Sequence, residues 1–160
     1  MKRTIWRLNK SILKSRFAFQ IIKLYLLTFL VPLTFTPLFF IIVKLFGENV
    51  VGPNKGRWFT AIFVAPIVET LLFQYGVFKL LQLSKFTRDK HVHYIIISSL
   101  LFRLEHWYSL RYIVFAFSAG LPLAYTYYLF HKKPVKAFWA TALVHSLHNL
   151  TGVLVFYLGN

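Results

Sequence analysis

A single carboxylate stands in the middle of an otherwise apolar run. Residues 58–78 carry one charge, Glu69, in twenty-one positions. As a helix that run spans ~31 Å, about the hydrocarbon thickness of a bilayer. A carboxylate at that depth costs on the order of 2.5–3.5 kcal/mol on insertion scales, so it needs a polar interior and a partner. Two later stretches offer partners: Phe102-Arg103-Leu104-Glu105-His106 and His145-Ser146-Leu147-His148-Asn149. The sequence therefore predicts that three pieces of chain meet at one intramembrane site.

The other apolar residues come in long blocks, not stripes, in a chain that is 58% hydrophobic with a mean hydropathy of +0.60. That pattern predicts an all-α, polytopic membrane helical bundle of about five transmembrane helices with an N-terminal interfacial helix. An outer-membrane barrel would show alternating segments of ~10 residues between turns. Residues 1–23 read as a basic juxtamembrane segment and residues 24–160 as one helical domain, with the motif-bearing core at 58–158. There is no cysteine, which excludes disulfides, thiol catalysis and cysteine zinc sites.

A net charge of +15 suggests nucleic acid at first sight. The Lys and Arg residues flank the apolar blocks, however, and there they read as topology signals and anionic-lipid contacts. No nucleic-acid partner is expected. Ile5, Leu8 and Ile12 share one face of the first segment, opposite Arg3, Arg7, Lys10 and Lys14, as in a helix lying on a membrane surface. A frayed basic tail is the alternative.

Residues 24–43 are the first uncharged span, with a break expected at Pro32 and Pro37. The Glu69 helix follows and ends near Leu83. Residues 94–106 make a short third element, ~20 Å if helical, so its polar end would lie at a water-accessible depth. Residues 112–130 form the fourth span, where Ser118, Ala119 and Gly120 would allow close packing. Residues 137–158 form the fifth. With the N-terminus inside, fourteen of the nineteen Lys and Arg residues fall on the inner side, as the positive-inside rule requires. The expectation is a multi-pass protein of the cytoplasmic membrane, N-terminus inside and C-terminus outside.

At 100° per residue His145 and Asn149 share a helical face, with His148 near it. The set has the parts for hydrolysis. A carboxylate can take a proton from water, imidazoles can steer that water or bind a metal, and an amide can donate to an oxyanion. Against this, a lone membrane histidine is more often a packing or interhelical hydrogen-bonding residue, and Glu69 alone could join two helices. A carboxylate with three histidines on apolar segments favours a site.

Order and spacing resemble the CPBP family of intramembrane proteases, which includes the type II CAAX prenyl proteases and bacteriocin-immunity proteins. The family pattern is Glu-Glu-x-x-x-Arg, Phe-x-x-x-His and His-x-x-x-Asn. This chain has Glu69-Thr70-Leu71-Leu72-Phe73-Gln74, Phe102 to His106 and His145 to Asn149. The resemblance implies an intramembrane endopeptidase cleaving a membrane protein or lipidated peptide. By carry-over, Glu69 and His106 would activate water, while His145 and Asn149 would bind a metal or form the oxyanion hole. Zn2+ held by His106, His145 and Glu69 is one form of that chemistry, and a metal-free, glutamate-type mechanism is the other. Thr70, Gln74, Phe102 and His148 would support these groups.

The departure lies at Thr70 and Gln74, which replace the motif's second glutamate and its arginine. Together they are expected to form a neutral hydrogen-bonded pair in place of an ion pair, a coordinated swap that strands no charge. Two other classes of function stay open. A catalytically silent scaffold or immunity-type binder would tolerate loss of the four polar residues, and a small transporter would need a continuous polar path across the bilayer.

Overall fold

The computed structural model describes residues 9–47, 57–87, 90–106 and 109–158. Six helices carry the fold: α1 (Phe17–Leu33), α2 (Thr36–Phe46), α3 (Thr60–Leu83), α4 (His91–Phe102), α5 (Leu110–Phe130) and α6 (Pro134–Leu158). A tight turn, Arg103–His106, prolongs α4. No strand occurs among the described residues.

Helices α3, α5 and α6 are long and apolar enough to cross a bilayer, and the pair α1–α2 makes a fourth candidate if counted as one bent span. The expected break falls between Pro32 and Pro37, with α1 and α2 bent by 45°. Its chemistry is local. Pro37 has no N–H for the Leu33 carbonyl, and the Thr36 hydroxyl donates to that oxygen instead, at 2.7 Å. The expected span at residues 94–106 is the twelve-residue α4 and its turn, short of a full crossing.

One end of the bundle gathers the start of α1, the start of α4 and the α5–α6 turn. Phe17 meets Phe130 edge-on at 6.4 Å, and the Lys136 ammonium sits over both rings at 4.8 and 4.7 Å. His91 packs on Tyr128 at 5.1 Å. Residues 9–16 dock on this end. Residues 9–13 are helical, Ile12 is buried, and the Gln20 amide donates to the carbonyls of Leu13 and Ser15. Ile5 and Leu8, expected on the same face, lie outside the described residues. Large apolar side chains such as Leu30, Phe40, Leu71 and Leu154 point outward, as a lipid-facing surface requires.

The core lies where α5 meets α4 and α6. Ser118, Ala119 and Gly120 are all buried. At Gly120 a β-carbon would stand 3.2 Å from the Phe102 ring and 3.3 Å from Ser99, so glycine sets the α4–α5 approach. That approach fixes Phe102.

Candidate active site

Glu69 closes a regular turn, Ala65–Glu69, set between two widened turns, Thr60–Val64 and Thr70–Gly76. In a widened turn the hydrogen bonds run i→i+5, a feature that recurs at functional sites. The first has a visible cause. The Ala65 N–H bonds the Thr60 carbonyl, so Ala61 loses its regular donor, and its next donor would be Pro66, which has no N–H. Asn149 fills the gap: its Nδ2 donates to the Ala61 oxygen at 2.8 Å. In the second widened turn the buried Ser98 hydroxyl donates to the Phe73 carbonyl at 2.7 Å. Gly76 ends it where a β-carbon would meet the Leu71 carbonyl oxygen at 3.2 Å.

Between these two anchors the Glu69 carboxylate faces α6. Its Oε2 lies 3.6 Å from His145 Nε2. The histidine side chain is 4% exposed and the glutamate 16%, so the imidazole is enclosed while the carboxylate keeps an opening. Phe102 packs edge-on against the His145 ring at 5.6 Å, and Phe73 edge-on against Phe102 at 5.9 Å. Two separated motifs thus meet through Phe102 and His145. At 3.6 Å the carboxylate and imidazole are too far apart for a good direct hydrogen bond, yet close enough for one small reactant to touch both.

Three of the four expected residues are brought to the α3–α6 seam: Glu69, His145 and Asn149. His106 closes the turn that follows Phe102, and its side chain lies outside the described residues. His148 turns away from the seam. Its Nδ1 sits 2.9 Å from the Thr28 hydroxyl on α1, and its ring lies between Phe29 and Phe115, with centroids at 5.0 and 6.0 Å. It borders a separate cavity of about 410 Å³ shared with Thr151 and Pro32.

Thr70 and Gln74 are fully buried, but neither the Thr70 hydroxyl nor the Gln74 amide has a hydrogen-bonding partner among the described residues. The expected hydrogen-bonded pair is not formed. That expectation assumed a regular helix with i and i+4 stacked one turn apart, and both residues sit in the widened turn. Sequence reasoning also missed Ala61, Ser98 and Thr28. Of these only Ala61 leaves a trace, as the carbonyl five residues before a proline.

Glu69 and His145 suit a metal edge: donors held at bonds near 2.1 Å in a tetrahedral zinc site stand roughly 3.4 Å apart. No group of three His, Asp or Glu side chains occurs among the described residues, so the described part of the site supplies two ligands.

The sequence profile of the family described as Type II CAAX prenyl endopeptidase Rce1-like matches residues 54–151, more than half of the chain and the stretch that holds residues 69–74, 102–106 and 145–149. No curated protein and no solved structure matches.

Proposed function

The chain belongs to the Rce1-like family of type II CAAX prenyl endopeptidases, and from that premise we propose that it hydrolyses a peptide bond at the membrane with Glu69 as general base. Membership implies an intramembrane CAAX-type protease and an integral membrane protein. What carries the finer reading is the 3.6 Å approach of Glu69 to His145 across two helices. A carboxylate in apolar surroundings needs such a partner.

In this reading Glu69 takes a proton from water held between the carboxylate and the imidazole as the water oxygen bonds the scissile carbonyl carbon, and returns it to the departing amine as the C–N bond breaks. His145 and His106 orient that water and stabilise the charge that forms on the scissile carbonyl. One N–H of the Asn149 amide holds Ala61, and its second is the oxyanion donor. Where zinc is bound, Glu69, His145 and His106 would hold it, and it would supply a polarised water. Proton transfer to Glu69 belongs to the metal-free form, and carbonyl recognition by Asn149 to the protein in either case.

The substrate is a membrane protein or a lipidated peptide, reaching the open side of Glu69 along the α3–α6 seam. That seam carries an apolar groove lined by Trp58, Phe63, Leu143, Leu150 and Tyr157. Lys10, Lys14, Arg16, Lys132 and Lys133 belong to segments gathered at one end of the bundle, the end proposed to face anionic lipid on the inner side.

The test uses purified protein in liposomes and an internally quenched farnesylated C-a-a-X peptide, with a non-lipidated transmembrane reporter beside it. Wild-type protein should cleave one of the two, and Glu69→Gln neither. A second reading is favoured by Thr70 and Gln74, which replace two charged motif residues: a catalytically silent binder. Equal signals from wild-type protein and Glu69→Gln on both probes would select it.

A further inference from the structure

Two backbone carbonyls flanking Glu69 are held by side chains from other helices. Upstream, Asn149 of α6 donates to Ala61 at 2.8 Å. Downstream, Ser98 of α4 donates to Phe73 at 2.7 Å. Both acceptors lie in the widened turns on either side of the regular turn that ends at Glu69. A widened turn carries one residue more than a regular turn, so gaining or losing it rotates everything beyond it by most of a residue step. The direction of the Glu69 side chain therefore depends on both turns staying wide.

We propose that Ser98 and Asn149 are positioning residues that clamp the two widened turns and thereby aim the Glu69 carboxylate at His145. Ser98 is the cleaner member of the pair, since it lies on α4, outside the hydrolytic set. It is fully buried, and among the described residues its hydroxyl bonds the Phe73 carbonyl alone. Serine within a helix more often bonds back to its own preceding turn, as Ser99 does to Ile95 at 2.7 Å. Ser98 instead crosses to α3. Releasing it frees the Phe73 carbonyl to return to a regular i→i+4 pattern, which would turn Glu69 relative to α6. The mechanistic part of this inference rests on the peptidase reading, while the geometric part does not.

The absence of cysteine permits a direct readout of aim. A Glu69→Cys/His145→Cys protein in liposomes is cross-linked with a short bifunctional methanethiosulfonate, with and without Ser98→Ala. The expected result is a cross-linking rate lowered several-fold by Ser98→Ala and by Asn149→Leu, and restored by Ser98→Thr, which keeps the hydroxyl. In the protein with native Glu69 and His145, Ser98→Ala should lower kcat per folded molecule roughly 10- to 100-fold with KM unchanged. Melting curves count the folded fraction. Should Ser98→Ala fail to fold, Asn149→Leu carries the cross-linking test. Unchanged cross-linking in the folded variants overturns the clamp, whether or not wild-type protein proves to be a peptidase. Lowered cross-linking with unchanged kcat overturns its link to catalysis.

Discussion

The Nδ1 of His148 lies 2.9 Å from the Thr28 hydroxyl, and that hydroxyl donates to the Tyr25 carbonyl at 2.6 Å. While its single proton is engaged at Tyr25 that hydroxyl can only accept, an arrangement that suits the Nδ1–H tautomer of His148. The residue is thus an interhelical tie between α6 and α1, wedged between two phenylalanines. Removing the imidazole leaves Thr28 still bonded to Tyr25, so no buried group is orphaned. His148→Phe should therefore change stability by less than about 1.5 kcal/mol, because volume and aromatic packing are kept. His148→Ala should cost about 2–5 kcal/mol, as large core truncations do. Thermal or denaturant unfolding in detergent separates the two, and equal losses would contradict the packing role.

Thr70 and Gln74 lead to an unusual expectation. Each is fully buried with a polar group that no described residue satisfies, and such groups cost about 1–3 kcal/mol apiece. Thr70→Val and Gln74→Met should accordingly be neutral or stabilising. Thr70→Glu alone should destabilise by adding an unpaired buried charge. Adding Gln74→Arg should not recover that loss, because residues 70 and 74 share a widened turn and do not pair. A double-mutant cycle on stability measures the coupling, and a strong favourable coupling would contradict the unpaired arrangement.

Gly120 sets how closely α5 approaches α4, with Phe102 and Ser99 both within 3.3 Å of where a β-carbon would be. Gly120→Val should cost about 1–3 kcal/mol by overpacking. Since Phe102 also packs on His145, the same substitution should lower activity per folded molecule. Loss of stability with full activity in the folded fraction would separate this contact from the site.

Topology can be read with a membrane-impermeant thiol reagent on Ser109→Cys and Ser146→Cys. In the proposed orientation, with the basic α1-start end on the inner side, residue 109 lies toward the outer face. Labelling from outside is expected at Ser109→Cys. Labelling from inside alone would invert the orientation, and would agree with proteases that act on cytosolic prenylated tails.

Much of this was legible in the sequence for identifiable reasons. Charge-free blocks of bilayer length, Pro32 and Pro37, and the small residues at 118–120 act through length, a missing donor and a missing side chain, all visible in one dimension. The meeting of Glu69, His145 and Phe102 followed from the expense of a lone carboxylate and from motif order. The widened turns did not, because an i→i+5 turn changes no residue type, and a wheel drawn at 100° per residue then misplaces Thr70 and Gln74. His148 escaped for a related reason. It lies only ~60° from His145 on a regular helix, and Thr28, the residue that draws it to α1, stands 120 positions away. Among the described residues three or four helices are long enough to span, and the expected third span is not one of them, because α4 has twelve residues.

The central claim, that Glu69, His145 and His106 act as one hydrolytic unit, is tested most directly by single-turnover cleavage rates. These compare wild-type protein with Glu69→Gln, His145→Ala, His106→Ala and the Glu69→Gln/His145→Ala double variant, each normalised to folded protein. Residues that act as a unit are strongly non-additive. Each single change should abolish nearly all turnover, and the double variant should be little worse than either of its singles. Singles that keep wild-type rates, or losses that simply multiply in the double variant, would contradict the account.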